Sequence, residues 1–329
     1  MTQTLSQAGT VPAADLPGDR AAMAAGPQPA LICLDDLAGG GALLAHGRAV
    51  AAGLSTPITL GHVLENRPHD LAADAARSPL RRERAHAKLV DLGSGAQRPV
   101  LLEGRPCDQL LRWIARHRPA FVALYTRAAA HPEVPRRLGH VAATLLAESG
   151  TSVLLVPPEI PATARYRRIL LPLDGSFGSE RAIPMAANLA AAHDAELLLV
   201  HVVPAPELTV IGPIERAAIE LRERVLARNE HVVRDYLQSI RHRLMCARQP
   251  ASVHVGHGDA RDSLPAIGTK LGADLIILST LGNGGHGSQG CGHVAAHLAG
   301  AARTPVLLVK AQAGDGPVPE PAPAATVPA

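Results

Sequence analysis

The chain has 329 residues, 47% of them apolar, and a formal net charge of +3. That charge is too weak and too spread out for a nucleic-acid footprint, and no apolar run approaches the roughly 18 residues that a membrane span requires. With one Trp, three Tyr and two Phe, the chain lacks stacking platforms for single strands, and its core must be Val, Leu, Ile and Ala, the composition of parallel strands buried on both faces.

Residues 1–29 are Ala, Pro, Gly and polar residues without periodicity and without the apolar stretch of a signal peptide, and read as a flexible lead. The first strand is expected in "ALICLDD" (Ala30 to Asp36) and the second in "PITLGHVLE". A helix closes at "RRERAHAKLVDL" (Arg81 to Leu92). Next come "EGRPCDQLLRWIARHRPAFVALYT" (Glu103 to Thr126) and "GHVAATLLAESGTSVLLV" (Gly139 to Val156). A Pro-rich stretch, "PPEIPATARY" (Pro157 to Tyr166), follows as a linker, placed at 158–166.

The chain then repeats itself. "RILLPLDGS" (Arg168 to Ser176) restates the first strand, and Asp174 lies 27 positions before His201, as Asp35 does before His62. "HGDARDSLPAIGTKLGADLIILST" (His257 to Thr280) aligns without a gap on Glu103 to Thr126. "GHVAAHLAGAARTPVLLV" (Gly292 to Val309) is identical to its first-half counterpart at 11 of 18 positions. Ile219, Leu226, Val233 and Ile240 recur every seven residues, as on one helix face. Residues 312–329 are Pro- and Ala-rich and read as an extended, unpacked tail.

Strands alternating with helices predict an α/β fold of two tandem domains, 30–157 and 167–311. Each is a five-stranded, mostly parallel sheet sandwiched by helices, Rossmann-like in type. Ligands of such sheets bind beyond the carboxyl ends of the strands. The stretch placed there is "STLGNGGHGSQGCGHV" (Ser279 to Val294), between the strand "ADLIILS" and a helix. Glycines let backbone N–H groups approach an oxyanion, and a helix N-terminus adds free donors and a favourable dipole. The loop holds no Lys or Arg, so backbone groups, a counterion and His286 or His293 would carry the neutralisation.

Plainer readings stand beside this one. The loop could be a flexible connection. Asp35 and Asp174 could be helix N-caps, and His62 and His201 structural residues satisfied by a hydrogen bond. His140 and His293 open the last helices as caps, ligand contacts or inter-domain contacts. His254 and His257 fall on opposite faces of a strand, and no ligand set completes a metal site. No nucleophile motif surrounds Ser176 or Ser179, so no catalytic residue is assigned. Four cysteines without CxxC spacing read as reduced thiols of a cytoplasmic protein.

On "LPLDGS", "GADLIILST", the loop and the closing "TPVLLV", Arg168 to Lys310 resembles the ATP-binding subgroup of the universal stress protein family. Ala30 to Pro157 resembles it more weakly, and the whole is similar to the tandem form, with an adenine nucleotide alpha hydrolase-like fold. The family pattern of two spaced glycines, nine residues, glycine and Ser/Thr falls on Ser279, Gly282, Gly292 and His293, with a nine-residue spacer from Asn283 to Cys291.

The resemblance implies ATP, with or without Mg2+, in the second half. Pro172, Leu173 and Asp174 would lie by the adenosine, Val202 along the adenine, and Leu278 and Ser279 would close that pocket. Gly282, Gly292, His293 and Val294 would surround the phosphates. Ser279 and His293 depart from the pattern. The first-half loop "TRAAAHPEVPRRLGH" departs further, with Pro132 and Pro135 removing donors. The implied function is a nucleotide-linked stress-response regulator whose halves pair through their last strands, with a homodimer and a signalling partner left open. A nucleotide-free interaction module and a slow ATPase are the alternatives.

Overall fold

The computed structural model describes residues 28–37, 40–65, 78–93, 97–126, 138–162, 164–207, 216–282 and 291–310. The expected lead, except for residues 28 and 29, the expected tail, residues 283–290 of the nine-residue spacer and the first-half loop residues 127–137 lie outside them. The first half contributes β1 (Ala30–Leu34), α1 (Gly41–Gly53), β2 (Ile58–Leu64), α2 (Ser78–Leu92), β3 (Gln97–Glu103), α3 (Pro106–His117), β4 (Phe121–Tyr125), α4 (His140–Glu148) and β5 (Ser152–Val156). The second half follows with β6 (Arg168–Pro172), α5 (Phe177–Glu180), α6 (Ile183–His193), β7 (Glu196–Val203) and α7 (Arg216–Cys246). It closes with β8 (Ala251–His257), α8 (Ala260–Leu271), β9 (Leu275–Ser279), α9 (His293–Ala301) and β10 (Val306–Val309).

The strands join in one ten-stranded sheet of order β3-β2-β1-β4-β5-β10-β9-β6-β7-β8. Each half therefore has the same internal order, and every pairing within a half is parallel. The sheet is buried on both sides, which is why its strands read as continuous apolar runs. Along β1, Ala30, Ile32 and Leu34 face a core shared with α1, α2, α6 and α7. Leu31 and Cys33 face the other core, shared with α3, α4, α8 and α9. The Cys33 thiol, pushed up to about 12 mainly by burial, is an apolar packing group here.

The halves meet where expected, through their last strands. β5 and β10 pair antiparallel, with Leu307 opposite Leu154. Behind them α1 packs on α6 so closely that a Cβ on Gly53 would lie 2.7 Å from Leu189 Cδ2. His193 Nε2 donates to the Ala49 carbonyl (3.2 Å), and His46 Nδ1 shares a 2.9 Å hydrogen bond with the Tyr166 hydroxyl.

The seven-residue spacing of Ile219, Leu226, Val233 and Ile240 does lie on one helix, the 31-residue α7. It is a packed face only towards the C-terminal end: Leu237, Ile240 and Leu244 are buried, whereas Ile219 is 48% exposed. A helix of that length, rising about 1.5 Å per residue, outruns the sheet it covers. Among the described residues no helix is long and apolar enough to cross a membrane.

Candidate functional site

At the carboxyl ends of β6, β7 and β9 a cleft of about 200 Å³ opens. All ten residues singled out in the sequence line it: Pro172, Leu173, Asp174, Val202, Leu278, Ser279, Gly282, Gly292, His293 and Val294. Its floor is apolar, made by Val200, Val202, Ala260, Leu264, Leu278, Val294 and Ala295. Ala260 and Leu264 were not singled out, although their four-residue spacing on α8 marks one face. A flat apolar group fits such a floor, and the lining also includes the buried hydroxyl residues Ser179, Ser279 and Thr280.

Asp174 is the rim carboxylate, and the chain around it is built to hold it. His201 Nδ1 donates to the Leu173 carbonyl (2.7 Å), and Leu173 N–H donates to Val200 O (2.8 Å). The first half repeats the contact: His62 Nδ1 donates to Leu34 O, also at 2.7 Å. The paired histidines thus pin the residue just before each aspartate, and burial lowers the His201 pKa, which favours the neutral ring.

Asp174 is not a helix N-cap. Its Oδ1 accepts from Ser176 N–H (2.9 Å) and from Ser176 Oγ (2.5 Å), across Gly175 at φ +83°. Ser176 caps α5 instead, accepting from Ser179 N–H. Asp35 is likewise no cap, for the N-cap of α1 is Gly40.

The other carboxylate oxygen of Asp174 faces the glycine loop. A Cβ on Gly282 would lie 2.5 Å from Asp174 Oδ2, so any side chain there displaces that carboxylate. Gly178, missed in the sequence, is more strictly constrained, since its Cβ would lie 2.9 Å from the Leu281 backbone carbonyl oxygen. The signal was present in "DGSFGSE", but only the fold brings α5 onto residues 281 and 282.

Ser279 stands where the pattern has glycine, and its Oγ accepts from Leu281 N–H (3.1 Å). One loop amide is therefore already engaged. Gly292 N–H donates to Thr280 O (2.8 Å). Gly292 is the N-cap of α9 and supplies no side-chain cap; His293 is the first helical residue and does not cap either. Gly139 and His140 occupy the same positions in α4.

The corresponding first-half cleft is lined by Asp35, His62, Leu124, Gly139 and His140, with Arg81, Arg84 and Lys88 brought in by α2. Tyr125 occupies the position of Ser279, and its hydroxyl accepts from Leu43 N–H (3.3 Å). The first-half cleft is nevertheless the larger of the two, at about 1080 Å³.

His254 and His257 do lie on opposite faces of β8. Val253 and Val255 pack on the α7 side, as does His257, which bonds Glu230 of α7 (2.6 Å); His254 bonds Ser252. Among the described residues no group of three or more His, Cys, Asp or Glu side chains is placed to hold a metal.

Residues 165–310 match the model of the universal stress protein family. No curated protein matches the chain by sequence. Among solved structures, a universal stress protein from Archaeoglobus fulgidus DSM 4304 aligns at 16% identity with a TM-score of 0.61, covering 86% of this chain and 98% of that one. A functionally unknown protein from Pseudomonas aeruginosa PAO1 aligns at 18% identity and a TM-score of 0.58, covering 86% and 92%. At these identities the likeness is one of fold.

Proposed function

Residues 165–310 form a universal stress protein domain, and on that premise we propose that the chain is an adenine-nucleotide-binding stress-response regulator. ATP occupies the cleft of the second half. The observation that carries this reading is the convergence of the ten residues on one cleft with an apolar floor and a carboxylate at its rim.

The adenine lies on Val202 and Leu278. Asp174 accepts hydrogen bonds from the ribose hydroxyls, because an ionised carboxylate can only accept. The phosphates lie towards Gly282, Gly292, His293 and Val294, where the N-terminus of α9 offers donors and a favourable dipole. Mg2+ travels with the phosphates, since the second-half cleft has Asp174 as its carboxylate. The bound nucleotide acts as a conformational signal to a signalling partner.

The first half is a partner-facing module without nucleotide, a reading favoured by its loop sequence, in which Pro132 and Pro135 remove backbone donors. Titration calorimetry of the purified chain with ATP and Mg2+ tests both statements. The expected result is one nucleotide per chain and a raised melting temperature. Absence of heat and of any thermal shift would leave the interaction role and remove the nucleotide. Two nucleotides per chain would return the first half to the nucleotide sites.

A further inference from the structure

We propose that Lys310 supplies the cationic contact for the anionic end of the ligand, an assignment that rests on the nucleotide reading above. The need for a cation is plain from the loop itself. Residues 281–294 contain no Lys or Arg, and among the described residues none lines the second-half cleft. Mg2+ and backbone donors still leave part of the negative charge of an oligophosphate without a positive side chain.

Lys310 is distant from the loop in sequence but adjacent in space. It directly follows β10, whose Val309 pairs with Ser279 in the parallel register. Thr280 N–H donates to the Val309 carbonyl (2.9 Å), which sets Lys310 beside the start of the loop, at the carboxyl rim of the sheet. Its own N–H donates to Ser152 Oγ across the seam (3.1 Å), so its backbone position is fixed by the first half.

Gly292 N–H donates to Thr280 O (2.8 Å), so Lys310 and the N-terminus of α9 flank the same residue, and Lys310 and Cys291 act on each other electrostatically. Lys310 is also partly buried, and burial holds its pKa below the ordinary lysine value. A cation withdrawn from water gains more from an arriving anion than an exposed one does. In the first half the same repeat position is Pro157, which has no charge to offer. The first-half cleft draws its cations from α2 instead, as Arg81, Arg84 and Lys88.

Lysine suits this position as a compact charge on a flexible stem, able to follow a phosphate group without bidentate geometry. The role concerns the charged end of the ligand alone; the base and ribose are held elsewhere in the cleft. It therefore predicts a difference between two ligands that share a nucleoside.

The test is calorimetric titration of the full chain with ATP and with adenosine, in the wild type, Lys310→Gln and Lys310→Arg. Lys310→Gln should weaken ATP at least about tenfold, the loss of one charge-assisted hydrogen bond, and leave adenosine within about twofold. Lys310→Arg should restore most of the ATP affinity. The dependence of ATP binding on salt should also become shallower in Lys310→Gln. Equal weakening of both ligands, or unchanged ATP binding, overturns the assignment while leaving the nucleotide reading intact. A wild type that binds neither ligand overturns both.

Discussion

His46 in the first helix and Tyr166 just ahead of the second half share a hydrogen bond of 2.9 Å, with the tyrosine 1% exposed and the histidine 6%. The Pro161 backbone also acts on the imidazole, partly offsetting the effect of burial. His193 stands edge-on to the same phenol, 4.9 Å between ring centroids, and Asp274 acts on it electrostatically. Rings from α1, the linker and α6 therefore interlock at the junction of the halves.

That arrangement makes the junction acid-sensitive. Burial lowers the His46 pKa in the folded chain, so the unfolded chain takes up the proton first. The resulting stability is complete above the free-imidazole value of about 6.5. It is lost as the pH falls through that value towards the folded one. His46→Phe should show a smaller drop in melting temperature between pH 7.5 and 5.5 than the wild type. Equal drops would mean that His46 plays no role. Tyr166→Phe keeps the ring and removes the hydroxyl, and should destabilise the chain at pH 7.5 by about 1 kcal/mol.

Ser279→Gly should bind ATP more tightly, by a few-fold. The substitution releases Leu281 N–H from Ser279 Oγ and returns one donor to the loop. The folded chain would lose about 0.5–1 kcal/mol from added backbone freedom. Titration and thermal unfolding on the same preparation separate the two effects. Weaker binding in Ser279→Gly would show that the hydroxyl itself contacts the ligand.

Gly282→Ala should abolish nucleotide-induced stabilisation, because the new methyl takes the space of Asp174 Oδ2. The rim carboxylate can swing towards solvent, so the apo protein should lose no more than about 1–2 kcal/mol. Gly178→Ala meets the Leu281 backbone, which cannot swing away. It should cost the apo protein about 1–3 kcal/mol as well as binding. Urea unfolding of the two variants without ligand checks the ranking.

Leu307→Asp should unfold the chain or separate its halves. Leu307 is fully buried opposite Leu154, and an unpaired carboxylate there costs more than about 4 kcal/mol. Leu307→Val keeps the strand apolar and should stay within about 1.5 kcal/mol of the wild type. Size-exclusion chromatography and thermal unfolding report the outcome.

The fold was legible because its main features are periodic. The repeated Asp–His spacing, the apolar strands and the matching "GHVAA" segments all reflect forces acting along the chain, and these placed the sheet and the ten cleft residues. What escaped depends on partners remote in sequence. Gly178 reads as an ordinary turn glycine until α5 is set against Leu281. Lys310 reads as the end of a strand until Val309 is paired with Ser279. The His46–Tyr166 bond joins residues 120 apart, and no local pattern announces it. The seven-residue stripe of α7 misled at Ile219 because periodicity states which face is apolar, not how much sheet lies beneath it.

In an isolated half, β5 or β10 would end its sheet with a raw edge of unpaired backbone groups. The single chain gives each of those edges a permanent mate at a fixed local concentration, so the join survives dilution that would dissociate a pair of independent molecules. A cut in the linker would make the same join obey mass action.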